Sequence, residues 1–82
     1  MKLPRDLSGG HLVQALCRSW GYRKVHQVGS HIIIETDTPQ HQRLSVPDHR
    51  PLRTGTLNAI LRAVASHKGV SREEILGSLQ VV

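Results

Sequence analysis

"VHQVGSHIIIE", residues 25–35, holds two short β-prone runs on either side of Gly29-Ser30, and the reading of that pair decides the fold. Runs rich in Val and Ile read as strands, and two runs joined by two residues read as a hairpin. Glycine at the first turn position supplies the positive φ of a type II′ turn, whose twist matches that of the flanking strands. The turn sets a register. Counting outward, Val28 faces His31, His26 faces Ile33, Lys24 faces Glu35 and Tyr22 faces Asp37 on one side of the sheet. On the other side Gln27 faces Ile32, Val25 faces Ile34 and Arg23 faces Thr36. Ile32, Ile34 and Val25 make the more continuous apolar set, so the covered face is assigned to them. His31 then projects from the first residue of a stiff strand onto the uncovered face.

Before this hairpin, Ser8 reads as the N-cap of a helix with Leu12, Val13, Leu16, Cys17 and Trp20 on its apolar face, ended by Gly21. Three strands are expected at about 22–28, 31–37 and 42–47, with a turn around Thr38-Pro39. In the third strand Leu44 and Val46 join the covered face, leaving Arg43 and Ser45 beside His31. The loop "PDHRPLRTG", residues 47–55, leads to Thr56 as the expected cap of a second helix carrying Leu57, Ile60, Leu61 and Val64 and broken by Gly69. Ser71 and Glu74 form an S-x-x-E capping box that opens a short third helix with Ile75, Leu76 and Leu79. The fold class is therefore α+β: helix, three-stranded antiparallel sheet, helix, then a short extra C-terminal helix. The helices lie on one sheet face and the other stays wet, in one domain spanning residues 1–82.

A chain of 82 residues buries only about 60% of its unfolded surface, which leaves a thin core and little room for a deep substrate cavity. No apolar run approaches the roughly 20 residues of a membrane span, and "MKLPRDLSGG" lacks the apolar segment of a secretory signal. The lone Cys17 has no disulfide partner, so a cytoplasmic location is expected. Eleven Lys and Arg against six Asp and Glu give a net charge of +5, a field that attracts polyanions. With Trp20 and Tyr22 the only aromatic residues, a base-stacking platform is excluded. A nucleic acid would be held through phosphate and shape.

Histidine gives and takes a proton near neutral pH. RNA supplies its own nucleophile, the 2′-OH, so its cleavage needs a base, an acid for the leaving 5′ oxygen, and cations for the charge that develops on phosphorus. His31 is the candidate catalytic residue. Lys24, Arg43, Arg50 and Arg53 are candidate phosphate contacts, with Arg23 expected on the covered face or at its edge, and the N–H groups of Gly29 and Ser30 are candidate phosphate holders. The rival reading is a non-catalytic module that grips double-stranded RNA by shape and phosphate contacts. No cofactor is expected. His26 and His31 sit diagonally across the hairpin, but neither a Cys cluster nor an HExxH pattern supplies further metal ligands. Cys17 and Trp20 read as core, His49 as a residue whose hydrogen bond orders its loop, with catalysis the alternative, and His41 and His67 as surface.

"GSH" at 29–31 before a hydrophobic strand, "SVPDH" at 45–49, "GTLNAIL" at 55–61 and "GVSREEIL" at 69–76 form an ordered set. Together with the leader "LSGGHLVQALCRSWGY", residues 7–22, the set resembles the HicA toxin family of bacterial and archaeal toxin-antitoxin pairs over roughly residues 5–79. The resemblance implies a fold like the double-stranded-RNA-binding domain and an mRNA interferase activity. The family's functional histidine falls on His31, and a HicB-type antitoxin is implied as the partner that covers the active surface. The segment "VASHK", residues 64–68, is longer than in most members, so the second helix is expected to run about one turn further. No oligomeric state is read from the sequence.

Overall fold

A computed structural model of the chain describes residues 7–79. The elements run α1 (Gly9–Ser19), β1 (Arg23–Val28), β2 (His31–Thr36), β3 (Gln42–Pro47), α2 (Thr54–Lys68) and α3 (Arg72–Leu79). The strands form one antiparallel sheet in the order β1-β2-β3. Ile32 and Ile34 from β2 and Val46 from β3 are buried with Leu12, Leu16, Leu57, Leu61, Ile75 and Leu76 from the helices, while His31, Arg43 and Ser45 alternate outward and are exposed. Helices thus cover one face, as in the double-stranded-RNA-binding arrangement, with α3 added. Ile34 sits on the central strand with no exposed surface, a burial that stabilises the fold by about 1.5–3 kcal/mol.

The hairpin register holds near the turn, with Val28 opposite His31, Gln27 opposite Ile32 and His26 opposite Ile33. Gly29 has φ 59° and among the described residues no non-glycine residue has positive φ, which is the type II′ combination. Further out the register shifts between Lys24 and His26. A bulge adds one residue to one strand, and because side chains alternate with period two, everything beyond it changes face. Four expectations are corrected by this single event. Val25 leaves the core and is 44% exposed. Lys24 pairs with Ile34 instead of Glu35, and so moves to the helix side of the sheet edge. Arg23 pairs with Glu35 and reaches the open face. Tyr22, expected on the open side, is only 4% exposed and belongs to the core. The ring buries more area than a valine on an edge strand does, and the bulge gives it access to the covered side.

α1 begins as its capping residue requires, with Ser8 Oγ accepting the His11 N–H at 3.0 Å. Trp20 packs against the core at its end and donates Nε1–H to Ser78 Oγ at 2.8 Å, tying α1 to α3. The cap of α2 lies three residues earlier than the expected Thr56, at Arg53, with no side-chain cap. The Arg53 carbonyl already accepts the Leu57 N–H at 2.9 Å, so helical bonding begins there without a hydroxyl. α3 opens as expected, with Ser71 Oγ accepting the Glu74 N–H at 3.1 Å.

The last turn of α2 is a fastening. Val64 and Ala65 are buried, and His67 Nε2 lies 2.7 Å from the Gln40 carbonyl. Lys68 Nζ donates to Thr36 Oγ1 at 2.9 Å and to the Thr38 carbonyl at 2.6 Å, 4.9 Å from the centre of the Tyr22 ring. His67 is therefore pinned to the β2–β3 turn, not a free surface residue. The segment "VASHK" holds one end of the sheet to the helix layer.

Candidate active site

His31 stands at the first position of β2, directly after the turn, and is exposed. Its Nδ1 lies 3.3 Å from Ser45 Oγ on β3, a contact that orients the imidazole and leaves the other ring nitrogen for a ligand. A shallow depression of about 280 Å³ opens beside it, lined by His31, Pro47, His49, Leu52, Arg53 and Thr56. Two imidazoles and a guanidinium meet there with one hydroxyl. The described residues give Arg53 no ion pair and the His49 ring no hydrogen bond.

The loop from Pro47 to Arg53 is fixed by its backbone. Asp48 N–H donates to the Ser30 carbonyl, Gly9 N–H donates to the His49 carbonyl at 3.0 Å, and Leu52 N–H donates to the Leu7 carbonyl at 2.8 Å. Asp48 Oδ1 accepts the Gly10 N–H at 3.1 Å, a carboxylate at the N-terminus of α1 where the helix dipole favours it. Gly9 is dictated by this contact, since a Cβ there would lie 1.9 Å from the Pro47 carbonyl oxygen. Gly-Gly at the start of α1 and Pro-Asp-His at the end of β3 are thus two halves of one joint. The ordering expected of His49 is performed by its main-chain carbonyl and by Asp48, and its ring is left over.

The other expected site residues divide. Gly29 and Ser30 form the turn next to His31, and among the described residues their N–H groups have no acceptor, so both point to solvent or ligand. Arg53 lines the depression. Arg50 is exposed on the same loop, outside the lining, and already has an interaction within the chain. Arg43 was expected beside His31 but pairs with Glu35, four residues along β2 or about 13 Å away at strand spacing. Glu35 gathers two guanidiniums and an imidazole: Arg23 at 3.3 Å, His41 at 3.2 Å and Arg43 at 3.4 Å. Lys24 lies on the other side of the bulge, donating to Gln27 Oε1 at 3.3 Å. Neither Lys24 nor Arg43 is brought to His31.

Burial pushes the Cys17 thiol above its ordinary pKa, against a smaller opposing pull from the Lys24 backbone, so the thiol stays protonated and inert at neutral pH. A second cleft of about 100 Å³ between α1 and α3 holds His11 and Arg18 but shares no lining residue with the depression at His31. Among the described residues no group of three or more His, Cys, Asp or Glu is placed to hold a metal ion, and no helix is long and apolar enough to cross a membrane.

A family model described as the HicA toxin of bacterial toxin-antitoxin matches residues 10–65. The chain belongs to the HicA toxin family. No curated protein and no solved structure matches it. The HicA match runs from α1 through the hairpin and the Pro47–Arg53 loop into α2, and so contains every residue lining the depression. Membership makes this HicA chain a toxin of a toxin-antitoxin system and implies a cognate antitoxin. What the sequence reading missed is the approach of His49 to His31. The available signal was the density of turn formers on both sides of the joint, "SGG" and "SVPDH", which no periodicity connects.

Proposed function

We propose that this HicA chain is an endoribonuclease acting on mRNA in the cytoplasm, with His31 as its acid-base group. Its HicB-type antitoxin silences it by covering the His31 end of the sheet. In the reaction the imidazole takes the proton of a ribose 2′-OH, the freed oxygen attacks the adjacent phosphorus, and the bond to the 5′ oxygen breaks. The products are a 2′,3′-cyclic phosphate and a 5′-hydroxyl. Arg53 and the N–H groups of Gly29 and Ser30 hold the non-bridging oxygens and offset the added negative charge. Arg50 contributes a phosphate contact further along the strand, and Ser45 keeps the His31 ring in position.

One observation carries this reading. His31 is displayed on the uncovered side at a fixed turn, hydrogen-bonded at one ring nitrogen, and borders a depression that also holds an Arg53 with no ion pair among the described residues. A basic chain of net charge +5 brings the polyanion to that site. The deciding experiment compares purified wild type with His31→Ala on RNA. Cleavage is expected to fall by about 10²–10⁴-fold with RNA affinity retained, and expression toxicity is expected to vanish with it. Equal cleavage by the two proteins, or intact RNA with wild type, would leave only a binding module. Cleavage is also expected to persist in excess chelator, because the nucleophile belongs to the substrate.

A further inference from the structure

We propose that His49 is the second acid-base residue of the same reaction, donating the proton that the leaving 5′ oxygen takes up while His31 removes the proton of the 2′-OH. The inference rests on the endoribonuclease reading and adds to it the missing acid. Three observations place His49 there. It lines the same depression as His31. Its loop is bonded to the turn on which His31 is mounted, through Asp48 N–H and the Ser30 carbonyl, so each histidine is the chain neighbour of one partner in that bond. Its main chain is anchored by the Gly9 N–H while its ring makes no hydrogen bond to a described residue, which leaves a positioned imidazole with free nitrogens.

The proton balance closes. His31 begins neutral and ends as imidazolium, and His49 begins as imidazolium and ends neutral. The 2′-O–P bond forms as the P–O5′ bond breaks, and exchange with solvent resets both rings. The charged and titratable groups that share the depression or the loop with His49 are His31 from β2 and Asp48, Arg50 and Arg53 from its own loop. The Asp48 carboxylate is turned to the Gly10 N–H. The first residues of α2, Thr54, Gly55 and Thr56, carry no charge.

The test uses the full chain and a short RNA spanning a cleavage site mapped with wild type. One version carries the natural 5′ oxygen at the scissile link and the other a bridging 5′ sulfur, a leaving group that departs without protonation. Single-turnover rates are measured across about pH 5–9, the range in which histidine titrates. On the oxygen substrate His49→Ala and His49→Asn are expected to lose about 10²–10⁴-fold together with the alkaline limb of the pH profile, and on the sulfur substrate to approach wild type. His31→Ala is expected to fail on both. Wild-type rates for the His49 variants on the oxygen substrate, or equal losses on both substrates, would overturn the assignment of His49. Full cleavage by His31→Ala would overturn the parent reading instead.

Discussion

The two ends of β2 differ in what their polar groups are doing. At the Thr36 end they are engaged: the buried Thr36 hydroxyl donates to the Gly21 carbonyl at 3.0 Å and accepts from Lys68, the Tyr22 hydroxyl donates to Gln42, and Glu35 holds Arg23, His41 and Arg43. At the His31 end the loop's main chain is engaged, while among the described residues the His49 ring has no hydrogen bond and Arg53 no ion pair, and His31 uses one ring nitrogen on Ser45. The loop carrying His49 and Arg53 is bonded through backbone groups and Asp48, and the two imidazoles and the guanidinium are turned to an open depression. A buried polar group must be satisfied for the fold to stand, whereas a substrate can bind only groups that the fold has positioned and left available. One end is therefore built for stability and, on the proposed function, the other for chemistry.

Substitutions at the two ends are expected to separate these properties. The largest effect belongs to His31→Ala, with cleavage reduced by about 10²–10⁴-fold and the denaturant midpoint unchanged. The matching change at the closed end is Thr36→Val, expected to cost about 1–3 kcal/mol of stability by stripping bonded partners, with unaltered cleavage per folded molecule. Gly9→Ala breaks the separation. Its Cβ collides with the Pro47 carbonyl, so it is expected to lower stability by about 1–3 kcal/mol and cleavage together, because the joint that holds α1 also holds His49.

A smaller effect is expected from Glu35→Gln, which releases Arg43 on the open face while Arg23 keeps Asp37 at 2.9 Å. RNA association should tighten and the slope of log affinity against log salt should steepen by about one, as measured by titration at several ionic strengths. The smallest is alkaline. Burial raises the Tyr22 hydroxyl to about 12 from its ordinary value of 10.0. Folding then favours the protonated ring, a contribution present below the ordinary value and lost as pH rises through the folded one. Wild-type stability relative to Tyr22→Phe should decline across that window in paired denaturant melts. Lys68, lowered by burial, pulls oppositely in both proteins.

The sequence made the helices, the Gly29-Ser30 turn and the exposed setting of His31 legible because each is local: a cap, a period or a turn residue within a few positions. Ser45 beside His31 and the covered set Ile32, Ile34 and Val46 followed from parity counted from that turn. Parity failed where a long-range demand intervened. The bulge at Lys24–His26 answers the burial of Tyr22 between Thr36 and Lys68, a residue that lies 46 positions later, and it displaced Lys24 and Arg23 together. Arg43 was assigned to the correct face but not to its partner, because a face does not say which carboxylate claims a guanidinium. His49 was read as ordering its loop because Pro-Asp-His looks like turn chemistry. That the carbonyl does this work and not the ring depends on Gly9, 40 positions away.

The contrast between the two ends is tested most directly by amide NMR shifts of wild-type protein titrated with a 2′-O-methylated RNA that cannot be cleaved. The expected shifts cluster at Gly29–His31, Ser45, His49, Arg53 and Thr56, with little change at Tyr22, Thr36, Gln42 and Lys68. Shifts centred on that second group, or on the cleft between α1 and α3, would contradict the assignment of the His31 end as the RNA site.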